Sequence, residues 1–247
     1  PFKSDDESEL VKINILKMLN EKYGITEYDF ITAELEAVPL NNARDIGFDR
    51  SLIGSYGQDD RVCSYSALQA ILTCNNPKKT VITVLTDKEE IGSDGNTGLK
   101  AAYLENFIID LAKTCGKEGY NVISVSKCLS ADVNVGFDPC FPDVVDHKNC
   151  AYLNNGLVLT KYTGSRGKSG TSDASAEFIG EISRMLNSAG IIWQTGELGK
   201  VDLGGGGTVS MFVARLGMDV LDIGVPVLSM HSPFETTSKL DIYMMYK

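Results

Sequence analysis

Two adjacent glutamates, Glu89 and Glu90, follow closely on an apolar stretch of β-branched residues that begins at Val81. This composition predicts a strand over residues 79–86 that is buried on both faces. Open α/β sheets place their chemistry just outside the carboxyl ends of such strands. Because neighbouring side chains point in different directions, one glutamate could bind a cation while the other moves a proton. A solvated acidic turn is the alternative interpretation of the pair.

Acidic residues and a histidine also lie at the ends of other predicted elements. Asp59 and Asp60 open a predicted helix, and capping that helix requires only one carboxylate. Asp132 follows residues 121–127, which predict a buried strand, and His231 follows two strand-like segments. Carboxylates combined with an imidazole suit zinc, cobalt or manganese. The shared position at sheet edges therefore favours a metal centre over separate structural roles for these residues.

Strand-like and helical patterns alternate along the chain. Helices are predicted over residues 5–23, 97–114, about 173–189 and 209–216, and also from Val62 and from Glu235 onward. The other predicted strands cover residues 29–38, 156–163, 190–195, 218–223 and 225–230. This alternation predicts an α/β fold, a three-layer α/β/α arrangement with a mixed, mostly parallel sheet. Residues 1–45 would form a small module and residues 46–247 the main domain.

The composition argues against several classes of function. The 247 residues carry a net charge of −10, which argues against nucleic acid or anionic lipid as the main partner. No apolar run is long enough to span a membrane. The six cysteines have no CxxC or zinc-finger spacing, so reduced thiols in a cytoplasmic protein are expected. Because the sequence starts at Pro1 and stops within a helical pattern, we expect it to be part of a longer protein.

Five motifs together resemble those of the M18 metalloaminopeptidases, the group of aspartyl aminopeptidase and vacuolar aminopeptidase I. They are GQDDRVCSY at 57–65, DKEEIGS at 87–93, SADVNVGFDP at 130–139, GGGGT at 204–208 and LSMHSPFE at 228–235. The motifs occur in the family's order and cover nearly the whole chain. The resemblance implies a peptidase that removes N-terminal amino acids from peptides with two divalent ions, zinc or alternatively cobalt or manganese.

The resemblance also implies a role for each candidate residue. The metal ligands would be Asp59, Glu90, Asp132 and His231. Asp59, joined to Asp60 by a cis peptide bond, would bridge the two ions, and Glu90 and His231 would share one of them. Glu89 would be the general base that takes a proton from the attacking water and passes it to the leaving amine.

The glycine loop at residues 204–207 would let the backbone approach the substrate closely. On this basis Gly206 and Thr208 are predicted substrate-binding residues, with a plain flexible loop as the alternative. Residues 133–138 depart from the family's usual pattern, so the substrate pocket of better-known members need not carry over. His147, the only other histidine, is predicted to lie on the surface.

The family pattern also bears on the organisation of the whole protein. Residues 1–45 resemble the tail of an inserted dimerisation domain, and their predicted helix and strand lack a core of their own. The full-length protein would then be a homo-oligomer, and the resemblance implies a dodecamer. The family's first metal ligand, a histidine in an HxD motif, has no counterpart here and is expected upstream of Pro1.

Two other interpretations stay open at this point. The related M42 aminopeptidases share the glutamate pair and an HSPxE-like end, although the SAD run and the order of loops favour M18. A non-catalytic metal-binding or structural subunit of the same fold would have no use for a general base at Glu89. The preferred N-terminal residue of the substrate, acidic or neutral apolar in the family, does not follow from the sequence.

Overall fold

The computed structural model describes residues 9–166, 169–200 and 202–247. The chain divides into two units, one that extends to Leu40 and one that extends from Asn41 to Lys247. The assignment of residues 1–45 to an inserted domain and residues 46–247 to a catalytic domain stays a prediction.

The first unit contains two helices, α1 (Leu10–Tyr23) and α2 (Glu27–Thr32), neither of which has a buried residue. The predicted strand over residues 29–38 is wrong, because a helix begins before it. Thr26 accepts a hydrogen bond from the backbone N–H of Asp29, and the Asp29 carboxylate accepts one from the backbone N–H of Thr26. This reciprocal capping starts a helix where the apolar–polar alternation had predicted a strand.

The second unit contains the sheets and the remaining helices. Its strands are β1 (Arg44–Ile46), β2 (Leu52–Ser55), β3 (Lys127–Ala131), β4 (Asn134–Val135), β5 (Leu157–Thr160), β6 (Tyr162–Ser165), β7 (Ser169–Asp173), β8 (Trp193–Thr195), β9 (Asp219–Gly224), β10 (Pro226–Leu228) and β11 (Glu235–Ser238). Its helices are α3 (Gln58–Thr73), α4 (Tyr103–Thr114), α5 (Gly119–Ser124), α6 (Ala176–Ser188), α7 (Ser210–Ala214) and α8 (Lys239–Tyr246).

The strands form a four-stranded, a five-stranded and a two-stranded sheet. In the first, ordered β3-β9-β5-β8, two of the three pairings are parallel. In the second, ordered β1-β2-β11-β10-β4, only the pairing of β10 with β4 is parallel. The α/β class with mixed sheets is confirmed, but parallel pairings are in the majority only in the four-stranded sheet.

Helices pack on these sheets through two apolar clusters. In one, Phe178, Ile182 and Leu186 of α6 contact Leu157, Leu159 and Leu221 of the four-stranded sheet. In the other, Val62 and Cys63 of α3 pack with Val133, Val225 and Val227. Each fully buried side chain of this kind stabilises the fold by roughly 1.5–3 kcal/mol relative to an exposed one. The second cluster anchors the helix that carries Asp59, so the core reaches the candidate site directly.

The predicted strand over residues 79–86 is wrong for the chain as described. These residues form neither helix nor strand and belong to no sheet, and Val81 and Leu85 are 50% and 57% exposed. A run of β-branched residues favours extended backbone, but a strand also requires a partner with which to form a hydrogen-bonded ladder. The described part of the chain supplies no such partner.

Residues 121–127 were also predicted as a strand, and most of this segment is instead helix α5. Gly119, the first residue of α5, lies so close to α4 that an added Cβ would be 2.7 Å from Ile109 Cγ1. Ile123 turns inward and is 3% exposed. This close packing of two helices fixes the segment as helix, and the strand, β3, begins only at Lys127.

The final helix also starts later than predicted. Residues from Glu235 first form the short strand β11, and α8 begins at Lys239, where Ser238 Oγ accepts hydrogen bonds from two backbone N–H groups of the first turn. Among the described residues, no helix has both the length and the apolar character needed to cross a membrane.

Candidate metal centre

Asp59 and Asp60 lie where β2 turns into α3. The two residues have non-helical backbone angles within the first turn, and the peptide bond between them is cis, as the resemblance implied. The Asp60 carboxylate accepts a hydrogen bond from Ser64 Oγ at 3.3 Å, and a hydrogen bond from the backbone N–H of Cys63, in the first turn after the kink, opposes the rise in its pKa. Capping therefore accounts for Asp60 but not for Asp59, whose carboxylate lies against His231.

Asp59 and Glu90 both reach His231. The Nε2 atom of His231 lies 2.8 Å from Asp59 Oδ2 and 3.1 Å from Glu90 Oε1. One ligand atom from each of the three residues falls within a group whose members lie no more than 4.8 Å apart. Such a spacing suits a single cation held by one imidazole and two carboxylates.

Asp59 belongs to a second group as well. It lies with Asp60 and Asp132 in a cluster whose carboxylate oxygens are again within 4.8 Å of one another. The four ligands predicted from the sequence are thus brought together, with Asp59 common to both groups. A carboxylate shared in this way has the position of a ligand that bridges two ions.

Burial of these carboxylates makes the centre strongly electronegative. Burial together with the charge of Glu90 raises the pKa of Asp59 to about 6, and burial raises the pKa of Asp60 to about 7. Burial and the charges of Asp60 and Asp59 raise the pKa of Asp132 well above its usual range. In the described part of the chain, no lysine or arginine forms an ion pair with any of the three aspartates.

A divalent cation fits this donor set. The Oδ1 atom of Asp60 is buried and has no hydrogen-bond partner among the residues that the structure describes, which is costly for a polar atom. Repulsion among the aspartates disfavours their ionised forms, and a bound cation would offset this repulsion. Oxygen ligands with one imidazole nitrogen suit zinc, and cobalt or manganese as alternatives.

Glu89 and Glu90 occupy a short 3₁₀ turn, Glu89–Ile91. Glu90 faces His231, whereas Glu89 is half-buried and belongs to neither ligand group. Burial and the charge of Glu90 raise the pKa of Glu89, although the charge of His231 opposes this. The two side chains therefore differ in surroundings: Glu90 is exposed but contacts His231, whereas Glu89 is partly buried.

Glu235 is the residue of this region that the sequence interpretation missed. It is 2% exposed, and its two oxygens accept hydrogen bonds from the backbone N–H groups of Asp59 and His231. The signal was its position four residues after His231, within a motif already noted. It was overlooked because residues from Glu235 onward were predicted to begin a helix rather than a strand.

The glycine loop lies next to the centre. Thr208 is 6% exposed and donates a hydrogen bond to Asp222 Oδ1 at 2.7 Å. Thr208 and Asp132 line one small cavity of about 10 Å³. Gly205 has a φ of 88°, and an added Cβ there would lie 2.3 Å from the carbonyl oxygen of Gly164. The substrate-binding roles of Gly206 and Thr208 stay predictions.

His147 lies apart from these ligand groups. Its ring packs against Phe137, with 4.8 Å between ring centroids, and the residue is exposed. This agrees with its predicted place on the surface.

Comparison with known proteins gives a consistent result. The family model for aminopeptidase I zinc metalloproteases (M18) matches residues 1–247. The probable M18 family aminopeptidase 1 of Clostridium acetobutylicum is 51% identical over 251 residues, which cover 98% of this chain and 53% of the relative. The corresponding protein of Thermotoga maritima is 48% identical over 248 residues, covering 98% of this chain and 55% of the relative. The chain spans about half the length of these curated relatives.

Solved structures agree in fold. The crystal structure of the M18 aminopeptidase from Thermotoga maritima matches with a TM-score of 0.92 at 48% identity, over 99% of this chain and 55% of that one. The crystal structure of aminopeptidase I from Clostridium acetobutylicum matches with a TM-score of 0.91 at 50% identity, over 100% of this chain and 54% of that one. The S. cerevisiae mApe1 dodecamer matches with a TM-score of 0.72 at 21% identity, over 99% and 56%, and indicates the fold alone.

Proposed function

The chain belongs to the M18 family of aminopeptidase I zinc metalloproteases, and we propose that it supplies most of the active site of an aminopeptidase. The reaction is hydrolysis of the first peptide bond of a peptide with a free N-terminus. The proposal concerns a longer protein, since this chain spans about half the length of its relatives.

One observation carries the proposal: Asp59 belongs to both groups of candidate ligands. Asp59 would bridge two ions, with Glu90 and His231 as ligands of one and Asp132 as a ligand of the other. When bound, zinc ions supply Lewis acidity that polarises a carbonyl and lowers the pKa of a water molecule toward about 7. The two-ion stoichiometry is part of this proposal.

Glu89 performs the proton transfers. It lies beside the ligand Glu90 without belonging to either ligand group, so it is free to accept a proton. A raised pKa brings a carboxylate closer to the operating pH, which improves both proton uptake and proton release. Glu89 takes the proton of the attacking water and returns it to the leaving amine. A subunit without activity would have no use for this half-buried carboxylate.

We also propose that the full-length protein is a cytoplasmic homo-oligomer. Residues 9–40 expose a series of large apolar side chains, at Val11, Ile15, Met18, Tyr23, Tyr28, Phe30, Ile31, Leu35, Val38 and Leu40. Exposed apolar surface of this extent favours burial against another subunit. The specific assembly that we propose is a dodecamer, as the sequence resemblance to the M18 family implies.

The division of labour between the glutamates tests the proposed activity. In the full-length protein, Glu89→Gln should keep its metal and its fold but lose roughly 10²–10⁴-fold in kcat, the usual effect of removing a general base. Glu90→Gln should weaken metal binding instead, and excess zinc should partly restore its activity. Turnover of an aminoacyl chromogenic substrate and metal content by mass spectrometry are the two measurements.

The matched control for these variants is Glu177→Gln, which makes the same chemical change at an exposed glutamate of α6. It should alter neither turnover nor metal content. If Glu89→Gln stayed near wild-type turnover, or if both active-site variants lost metal equally, the assigned roles would be wrong.

A further inference from the structure

A buried carboxylate outside the ligand set contacts both sides of the metal centre. Glu235 Oε2 accepts a hydrogen bond from the backbone N–H of Asp59 at 3.0 Å. Glu235 Oε1 accepts one from the backbone N–H of His231 at 2.7 Å. One side chain therefore connects the segments that present two of the three ligands of the first ion, Asp59 and His231.

The sheet explains why Glu235 can reach both segments. Glu235 begins β11, which lies between β2 and β10 in the five-stranded sheet. Its pairing partner on β2 is Ser55, just before the turn that leads to Asp59. On the other side, β10 ends at Leu228 and leads into the turn that presents His231. Glu235 thus lies on the strand between the two strands that lead to the ligands.

The surroundings of Glu235 are unusual for a structural carboxylate. Burying a charge is costly unless it is paired or hydrogen-bonded. Among the residues that the structure describes, no lysine or arginine forms an ion pair with Glu235, and the two backbone N–H groups satisfy it. Each carboxylate oxygen accepts one of these bonds. A glutamine could accept only one, because its other terminal atom is a donor.

The backbone of His231 gives a second indication. His231 has a φ of 66°, a left-handed conformation that is uncommon for residues with a Cβ. The hydrogen bond to Glu235 is one of the contacts that hold it in this conformation. A change in this conformation would redirect the imidazole away from Asp59 and Glu90.

We propose that Glu235 is a positioning residue that sets the separation of Asp59 and His231, and thereby the metal affinity of the site they share. This inference rests on the proposed metal-dependent function. Glu235 itself binds no ion and acts only through the backbone of the two ligands. Partners that orient metal ligands typically change metal affinity by 10–100-fold when they are removed.

The test compares three variants of the full-length protein. Glu235→Gln should bind zinc about 10–100-fold more weakly in competition with a chelator, and the visible spectrum of its cobalt-substituted form should shift. Glu235→Asp keeps two acceptor oxygens and should restore part of the affinity. Because the spectrum reports ligand geometry, it would not respond to a loss of stability alone.

Asp241→Asn is the matched control. Asp241 is fully buried, and its oxygens accept hydrogen bonds from the backbone N–H groups of Asn154 at 2.8 Å and Gly156 at 2.7 Å. The substitution therefore removes the same kind of bonds at a place that belongs to neither ligand group. It should lower the thermal stability but leave the zinc affinity and the cobalt spectrum unchanged.

The outcomes separate this inference from the proposed function. Wild-type zinc affinity and an unshifted cobalt spectrum in Glu235→Gln would overturn the positioning role alone. A wild-type protein that binds no zinc would overturn the proposed function, and the inference with it. If Glu235→Gln did not fold, Glu235→Asp would decide: a shifted cobalt spectrum supports the role, and an unchanged one overturns it.

Discussion

The electrostatics of the metal centre follow from where three aspartates are placed. Asp59, Asp60 and Asp132 are each at least half-buried; the charge of Asp59 raises the pKa of the other two, and the charge of Asp60 raises that of Asp132 as well. Without a cation, these raised pKa values favour proton binding to the cluster at a higher pH than ordinary aspartates allow. A divalent ion therefore competes with protons for the centre, and its binding depends on pH.

This competition gives a prediction for stability. The folded pKa values of Asp59 and Asp60, about 6 and about 7, exceed the ordinary value of 3.8. Because protonation is favoured in the folded state, these groups contribute stability that is fully present below about pH 4 and is lost as the pH rises through about 6–7. The increase in Tm on adding zinc should therefore be larger at about pH 8 than at about pH 5.

Scanning calorimetry of the full-length protein, with zinc or with a chelator across this pH range, measures the effect. Using the same sample in both states cancels the contributions of all distant titratable groups. A zinc-induced shift in Tm that stayed constant over the range would contradict the account of the carboxylate cluster.

At the scale of the elements, the residues of the metal centre were predicted from the sequence more accurately than the strands were. Asp59, Asp132 and His231 each lie just after a strand, and Glu90 lies in a 3₁₀ turn, so the ligands occupy turns that are visible in the sequence. Glu235 was missed because its partners are backbone N–H groups, which leave no pattern in the side chains. Residues 121–127 were assigned wrongly because an apolar run does not distinguish a strand from a short buried helix.

The segment over residues 79–86 shows a different limit of prediction from sequence, because a strand needs a partner as well as a suitable composition. Its composition suits a buried strand, yet Val81, Ile82 and Val84 are between 40% and 50% exposed. The relatives are about twice as long as the match, so we expect a strand from outside residues 1–247 to pair with this segment in the full-length protein.

Hydrogen exchange tests this expectation. In the full-length protein, the amides of residues 81–85 should exchange as slowly as those of the buried strand β5, since both would lie in a hydrogen-bonded ladder. Residues 47–51, between β1 and β2, provide a rapidly exchanging reference. Rapid exchange of residues 81–85 would show that the segment has no strand partner.

For the whole molecule, the exposed apolar residues of the first unit predict that the full-length protein assembles into an oligomer. Val11 and Ile31 are 79% and 72% exposed, and a subunit interface would bury such side chains. The Val11→Asp/Ile31→Asp double variant should shift the full-length protein to smaller species in analytical ultracentrifugation. Glu34→Lys, a charge change at an exposed polar position, should leave the assembly unchanged. A wild-type protein that is monomeric at micromolar concentration and fully active would contradict the oligomer.

The central claim is that one carboxylate, Asp59, joins two metal sites into a single centre. Metal stoichiometry measured by mass spectrometry on the full-length protein after dialysis tests it most directly. The account predicts two zinc ions per chain in the wild type, a lower content in Glu90→Gln, and the loss of both ions in Asp59→Asn, since every proposed site includes Asp59. A wild type with a single ion, or an Asp59→Asn variant that kept both, would contradict the account.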